Sequence, residues 1–591
     1  MRNAWFFGVL LLGFAGWMLL FRPWTPAVIT LGSAGPWWLL VLLLICLAAA
    51  WFPPLAAPIY RSLQRLSTPS PHSRVIASIA VAAASSLYLC ITAVNGHRQF
   101  FPYIHDEFSY LIQAHQFARD KLWMPGHPLA PFFDSFQLFA QPVYASAYFP
   151  GTALLYLPGV WLHVPPYVTS LLSSGAVAGL FFWITTEVLD GLAGWLAVLL
   201  LWSDGQYRQV SLLTLGQMPL LLYALLATVA WLRWRATIRT DWAIGMGFFL
   251  GLAAVTRPVD ALCFAVPIAI DVLLRCVKKR SLSTLAGIWI GLLPMLALQL
   301  LLNHGITGQW EQTPFNFYAD RDYPGTRYGF HPYDPSARPA SDLPQKQKLY
   351  DQDRPLIAQH RRDNILSQLL HPRLPWVLSQ ASFAPFQVLI LLLPLSLPGL
   401  GILLKFQRPA IGVLLLTLPL FLLLYSPYVF FFPHYVLVTA PALILGILLG
   451  AKALWSAWPR YTRFAMVATT LFIAGNATAA LPNGSNWNED VFTADLLANV
   501  NRQLATLPHR PAVVLFTFDP NRNVNEEPVY NADFAWPDDA EVIRAHDLGP
   551  QNQAIFSYYA QRQPERFFYR FDEARRSLQP LGTARELASR F

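Results

Sequence analysis

The sequence predicts an all-α polytopic membrane protein of about 13 transmembrane helices that carries a small α/β domain at its C-terminal end. Three observations predict it. The chain of 591 residues is 55% hydrophobic and only 13% charged, whereas an average soluble domain is about 25% charged. Apolar runs long enough to cross a membrane recur between residues 5 and 481. From residue 482 the pattern changes to short alternating segments separated by polar turns.

A spanning helix needs about 20 mostly apolar residues. That test places spans near 5–21, 36–53, 75–95, 166–186, 191–203, 211–232, 242–256, 259–275, 283–302, 385–404, 410–426, 434–451 and 464–481. The first run reads as a span rather than a cleaved signal, because "RPW" follows it and no small-x-small site does.

Lys and Arg in short loops orient the spans. With the N-terminus inside, inner loops hold clusters such as Arg61, Arg65 and Arg74, Arg233, Arg235 and Arg239, and Lys278, Lys279 and Arg280. The short outer loops hold only Arg22, Arg208 and Arg257. The hydrophilic pieces 96–165, 303–384 and 482–591 then all lie outside the cytoplasm, where nucleotides are scarce, and no Gly-rich phosphate loop is found.

The formal charge of +9 is scattered over these loops and points to no nucleic acid. Cys46, Cys90, Cys263 and Cys276 all lie in apolar runs without metal-ligand spacing, so neither a disulfide nor zinc is expected. No cofactor is indicated, and no metal-ligand set.

The outer loops are not linkers. "APFFDSFQLFAQPVYASAYFPG" (130–151) and "QWEQTPFNFYADRDYPGTRYGFHPYDP" (309–335) are dense in aromatic residues, which disordered linkers lack. They are expected to pack on one another at the membrane interface. The tail, 482–591, reads as a soluble extracytoplasmic domain with strands at "PAVVLFTF", "EVIRAHDLG" and "ERFFYRFD".

The most informative stretch is "HDEFSYLIQAHQF" (105–117), where the chain leaves a span and at once presents His105, Asp106 and Glu107. Its helical spacing predicts an amphipathic helix along the interface, with both acids in the first turn. Acids there cap free N–H groups; they can also serve as a general base. A reaction run outside the cytoplasm, at a membrane and without a nucleotide, suits a sugar carried on a polyprenyl phosphate. Such a transfer needs a carboxylate for the acceptor proton, a cation for the leaving phosphate and a loop to align the two substrates.

Four stretches resemble the GT-C glycosyltransferase superfamily, in the branch of protein O-mannosyltransferases and the lipid A aminoarabinose transferase. They are "HDEFSYLIQAHQFARDKLWMP" with Tyr110, "YFPGTALLYLPG" (148–159), "GLAAVTRPVDAL" (251–262) and "HYVLVTAPALIL" (434–445), in family order. The resemblance implies a GT-C fold over 74–481, preceded by an additional transmembrane hairpin at 1–73. It implies an inverting transferase of the cell envelope, in the bacterial inner or plasma membrane. The donor would be a polyprenyl-phosphate sugar among membrane lipids, and the acceptor a glycan, lipid or protein.

In the family an acid of the first-loop pair is the base or, in some members, a metal ligand. That role falls on Asp106, with Glu107 supporting. Arg257 and His434 become candidates for the donor phosphate, and His105, Tyr110, His331 and Asp334 for further substrate contacts. His331 and Asp334 lie in "HPYDP", which is also a plain turn sequence. Phe149-Pro150-Gly151 stands where the aminoarabinose branch has Lys-Pro-Pro, so that phosphate contact must come from elsewhere. Two other classes compete: a transporter, against which the lack of internal repeats speaks, and a non-catalytic lipid- or glycan-binding scaffold.

Overall fold

The computed structural model describes residues 37–279, 281–374, 377, 410–457, 459–483 and 494–590. Among these, four helices are long and apolar enough to cross a membrane: Pro71–Asn95, Pro166–Val188, Leu282–Thr307 and Pro433–Ala453. A bent pair, Val41–Trp51 with Pro53–Ser67, makes a fifth. Gly191–Ser203, Thr240–Ala254 and Ala410–Tyr425 are shorter apolar helices. The expected thirteen are therefore not all found as long spans; 5–21 and 385–404 lie outside the described residues.

Helices α1 (Trp37–Trp51) and α2 (Pro53–Ser67) meet at 91°, because Pro53 and Pro54 cannot continue α1. Helix α2 buries Ala56 and Leu63 and exposes Arg61 and Arg65, so part of the expected inner loop is a surface helix. Helix α3 (Pro71–Asn95) starts at Ser70, whose hydroxyl accepts from the Ser73 N–H at 3.1 Å, with Pro at the first helical position.

The polar segment 96–165 contains α4 (His105–Ala118) and a small antiparallel sheet of β1 (Met124–Pro125), β2 (Leu138–Phe139) and β3 (Val143–Ser146), ordered β1-β3-β2. The chain then runs through α5 (Gly151–Trp161), α6 (Pro166–Val188), α7 (Gly191–Ser203), α8 (Gly205–Val210), α9 (Gln217–Thr237), α10 (Thr240–Ala254), α11 (Pro258–Lys279) and α12 (Leu282–Thr307).

Helices α10 and α12 touch backbone to backbone. A Cβ placed at Gly247 would stand 2.0 Å from the Ile288 carbonyl oxygen, and one at Gly291 2.1 Å from that of Ile244. Small residues allow this approach where apolar burial gives helices little reason to associate. The result is a closely packed pair, and Arg257 follows α10 in the turn to α11.

The polar segment 303–384 forms α13 (Pro314–Asp322) and α14 (Pro344–Gln359). It packs on the first loop as expected: Phe317 meets Phe139 at 5.5 Å, and Arg321 donates to the Gln141 carbonyl at 2.9 Å. After α15 (Ala410–Leu415), α16 (Thr417–Tyr425), a 3-10 turn (Pro433–Thr439), α17 (Ala440–Ala457) and α18 (Thr462–Asn483), the C-terminal domain begins with α19 (Asp495–Ala505).

The domain continues with β4 (Ala512–Thr517), β5 (Val542–His546), α20 (Asn552–Arg562), β6 (Phe567–Asp572), β7 (Ser577–Thr583) and α21 (Ala584–Ala588). The sheet order is β5-β4-β6-β7, with β4 parallel to β5 and β6 and β7 antiparallel at the edge. The three expected strands are β4, β5 and β6. Alternate residues of β4 face opposite ways: Val514 and Phe516 pack on α19, and Val513 and Leu515 on α20 together with Phe132 and Phe133 of the first loop.

A buried polar clamp joins the segments 96–165 and 303–384 and the C-terminal domain. Lys346 of α14, 2% exposed, pairs with Asp134 at 2.7 Å and with Asp322 at 3.5 Å. His546 of β5 lies 2.6 Å from the Asp134 carbonyl through Nε2 and 3.0 Å from Gln345 through Nδ1. With Nε2 protonated, that ring donates to the carbonyl and accepts from the Gln345 amide.

Candidate active site

The two acids at the start of α4 have different environments. Glu107 is 2% exposed and its carboxylate is fully used by the backbone. Oε1 accepts from the Tyr103 and Ile104 N–H groups at 3.0 and 3.2 Å, and Oε2 from the Thr214 N–H at 2.8 Å. It closes the free end of α4 and ties that end to the loop before α9. Burial raises its pKa to about 7 even though the three donors pull it down.

Asp106 is half-buried, and its partners are the Tyr148 hydroxyl and its own N–H. Burial raises its pKa above the usual carboxylate range, opposed by the Tyr148 hydrogen bond and the Arg257 charge.

Replacing Glu107 by Ala should therefore act on folding. Three buried N–H groups lose their acceptor, at about 1–3 kcal/mol each, so a drop of at least about 3 kcal/mol is expected in unfolding experiments. A Glu107→Ala protein of wild-type stability would contradict this role.

Helix α4 is not the surface-lying amphipathic helix that its spacing suggests. Within it only Asp106, His115 and Ala118 keep partial exposure. The supposedly wet face is covered: Ser109 bonds Ser146 of β3 at 2.7 Å, the Gln116 amide donates to the Tyr144 and Ala535 carbonyls at 3.0 and 3.3 Å, and Phe108 stacks on Tyr530 at 4.5 Å.

Opposite Asp106 stands the α10–α11 turn. Arg257 lies in the turn between α10 and α11, held out of the helical conformation by Pro258 after it, and its carbonyl accepts the Ala261 N–H as the first bond of α11. Its guanidinium pairs with Asp260, donates to the Tyr425 hydroxyl at 2.9 Å and lies over the Tyr435 ring at 4.6 Å. Asp260 is fully enclosed.

The "YFPG" turn seats on this same corner. The Gly151 N–H donates to the Val255 carbonyl at 2.7 Å, and a Cβ at Gly151 would come within 2.0 Å of the Thr256 hydroxyl. Glycine is needed there for close approach. Tyr148, just before it, stacks on Tyr110 at 4.6 Å. From the last stretch, His434 packs edge-on against Tyr435 at 4.7 Å and lies within the field of Arg257.

The four stretches thus converge on one cluster, although 328 positions separate Asp106 from His434. It holds Asp106, Tyr110, Tyr148, Arg257, Asp260, Tyr425, His434 and Tyr435. Sequence reasoning missed Tyr148, Asp260 and Tyr435, all inside the quoted stretches; Asp260 sits three residues after Arg257, within helical reach. Tyr425 carried no signal.

Other candidates fall elsewhere. His105 faces away from Arg257, with its ring on Phe136 at 4.2 Å and its pKa lowered by burial to about 4. His331 and Asp334 are exposed, and Asp334 accepts from the Ser336 N–H and hydroxyl at 2.8 and 2.6 Å, which is the turn reading.

Among the described residues no group of three or more His, Cys, Asp and Glu side chains could hold a metal. Two open cavities lie apart from the cluster. One, of about 410 Å³, is lined by Asp190 and Lys452; the other lies between α14 and Phe518.

No protein-family model matches the chain, and no curated protein does. Solved structures do. The chain is similar to ArnT from Cupriavidus metallidurans bound to undecaprenyl phosphate, at 13% identity over 85% of this chain and 93% of that one, with a TM-score of 0.43. It is similar to the oligosaccharyltransferase of Archaeoglobus fulgidus in a complex with Zn and sulfate, at 12% identity over 83% and 67% of the two chains, with a TM-score of 0.45. Both are GT-C glycosyltransferases. At such identities no residue role passes from one chain to another, and the chemistry rests on this chain's own side chains.

Proposed function

We propose that this protein is an integral-membrane glycosyltransferase that moves a sugar from a polyprenyl-phosphate donor to an extracytoplasmic acceptor, with Asp106 as general base. One observation carries the reading. Of two adjacent acids, one is consumed by backbone N–H groups and the other is left partly open, facing a half-buried arginine among tyrosines.

The acceptor hydroxyl attacks the anomeric carbon from the side opposite the phosphate, and Asp106 takes its proton. The bond from anomeric carbon to phosphate oxygen breaks, its electron pair leaves with the polyprenyl phosphate, and the sugar is inverted. Arg257 offsets the charge that grows on that oxygen. Its bonds to Asp260 and Tyr425 hold the planar fork in place beforehand, and His434 stands on the same side. The tyrosine rings offer the sugar flat apolar faces and hydroxyl partners. Asp106 then returns its proton to water.

Cells lacking the protein should accumulate the polyprenyl-phosphate sugar, and a lipid analysis checks this. An unchanged lipid profile would count against the reading.

The pH dependence has a definite sign. The base works only when ionised, and burial raises its pKa, so turnover is lost as pH falls through a value above the ordinary carboxylate range. A rate that stays flat down to about pH 4, where exposed aspartates titrate, would contradict the assignment.

A further inference from the structure

Helix α4 carries Asp106 but is gripped by a residue from the far end of the chain. Tyr530 lies in the segment between β4 and β5 and is 4% exposed. Its ring stacks on Phe108 with centroids 4.5 Å apart, and its hydroxyl donates to the Phe136 carbonyl at 2.9 Å. That same oxygen is 3.5 Å from Nδ1 of His105. Positions 105 and 108 bracket Asp106 within one helical turn.

The segment that presents Tyr530 is braced on both sides. Arg522 pairs with Glu527 and with Glu573, each at 2.7 Å, in a nearly closed environment. Glu527 also accepts the Val529 N–H at 2.9 Å. Asn531 exchanges two hydrogen bonds with the Arg544 backbone in β5, at 3.0 and 2.9 Å.

We propose that Tyr530 is a positioning residue for Asp106, which makes the C-terminal domain a working part of the reactive site rather than an appended module. The inference rests on the reading of Asp106 as the base. A displacement of about 1 Å in a reacting group costs about a hundredfold in rate, and supporting residues hold such groups within about 0.5 Å. Tyr530 supplies that support through a flat ring against Phe108 and a hydroxyl that fixes the Phe136 backbone beneath His105.

The test uses the full chain. Tyr530→Leu fills most of the space without a parallel ring stack, and Tyr530→Phe restores the ring. Both are compared with wild type and Asp106→Asn in cells, by the level of polyprenyl-phosphate sugar. Purified proteins are compared by their affinity for undecaprenyl phosphate and by hydrogen exchange of the amides of residues 105–110. Tyr530→Leu is expected to lower turnover at least tenfold with undecaprenyl phosphate affinity within twofold of wild type, and Tyr530→Phe to recover at least half of the wild-type rate.

Wild-type turnover in Tyr530→Leu, or a matching loss of undecaprenyl phosphate affinity, overturns the inference while leaving the proposed function intact. If Asp106→Asn itself accumulates no donor, the proposed function fails. Amide exchange then decides whether Tyr530 holds the helix: faster exchange in Leu than in Phe supports the grip, and equal exchange overturns it.

Discussion

Asp106→Asn will cut turnover by at least about a hundredfold while leaving the protein folded and able to bind undecaprenyl phosphate. The magnitude follows from general-base catalysis, worth about 10²–10⁴ in rate. Asparagine matches the size of aspartate and still accepts a hydrogen bond from Tyr148, but its amide cannot take a proton from an attacking hydroxyl. Asp106 takes none of the three N–H groups that Glu107 holds, so little stability should go with it. Membranes from cells carrying Asp106→Asn, supplied with the lipid that accumulates in the deletion strain, provide the measurement. Wild-type clearance of that lipid would sink the assignment.

Arg257 gives the second large effect, which separates stability from chemistry. Its partner Asp260 is fully enclosed. Removing one member of such a pair leaves an uncompensated charge and costs about 3–5 kcal/mol, whereas replacing both with apolar residues is often neutral or stabilising. Arg257→Met alone should therefore lower the unfolding midpoint and abolish turnover. Arg257→Met with Asp260→Leu should recover the midpoint but not the turnover, because no guanidinium then faces the leaving phosphate. Arg257→Lys keeps the charge but loses the planar fork that reaches Asp260 and Tyr425 together, so it should fall between. Recovered turnover in the double variant would show that the arginine has only a structural part.

Much of the architecture could be read from hydropathy, because a chain that leaves polar backbone in a bilayer has few options. The helices through 71–95, 166–188 and 282–307 follow directly. Strands β4, β5 and β6 were legible from alternation, and β7 was not: Pro580 and Gly582 interrupt its pattern at a bulged edge.

At the site, spacing could name the pair Asp106–Glu107 but could not divide it, since both acids suit a helix start. The division depends on the Thr214 N–H, which comes from another loop. The burial of α4 was equally hidden, because the residue covering Phe108 lies beyond position 500. His331 and Asp334 were attractive as chemistry but belong to a turn, as Pro and Asp in sequence often do.

The joint made by Lys346, Asp134 and Asp322 bears on how this protein could be re-engineered. Two polar segments, 96–165 and 303–384, supply these side chains, and His546 of the C-terminal domain closes the joint from β5. Replacing the 303–384 loop without its lysine would leave Asp134 without its ammonium partner, and replacing the 96–165 loop without its aspartate would leave Lys346 with Asp322 alone, at 3.5 Å. Chimeras must therefore exchange those two loops together or keep Asp134 and Lys346 in both, and the glycine-packed helices can stay as they are.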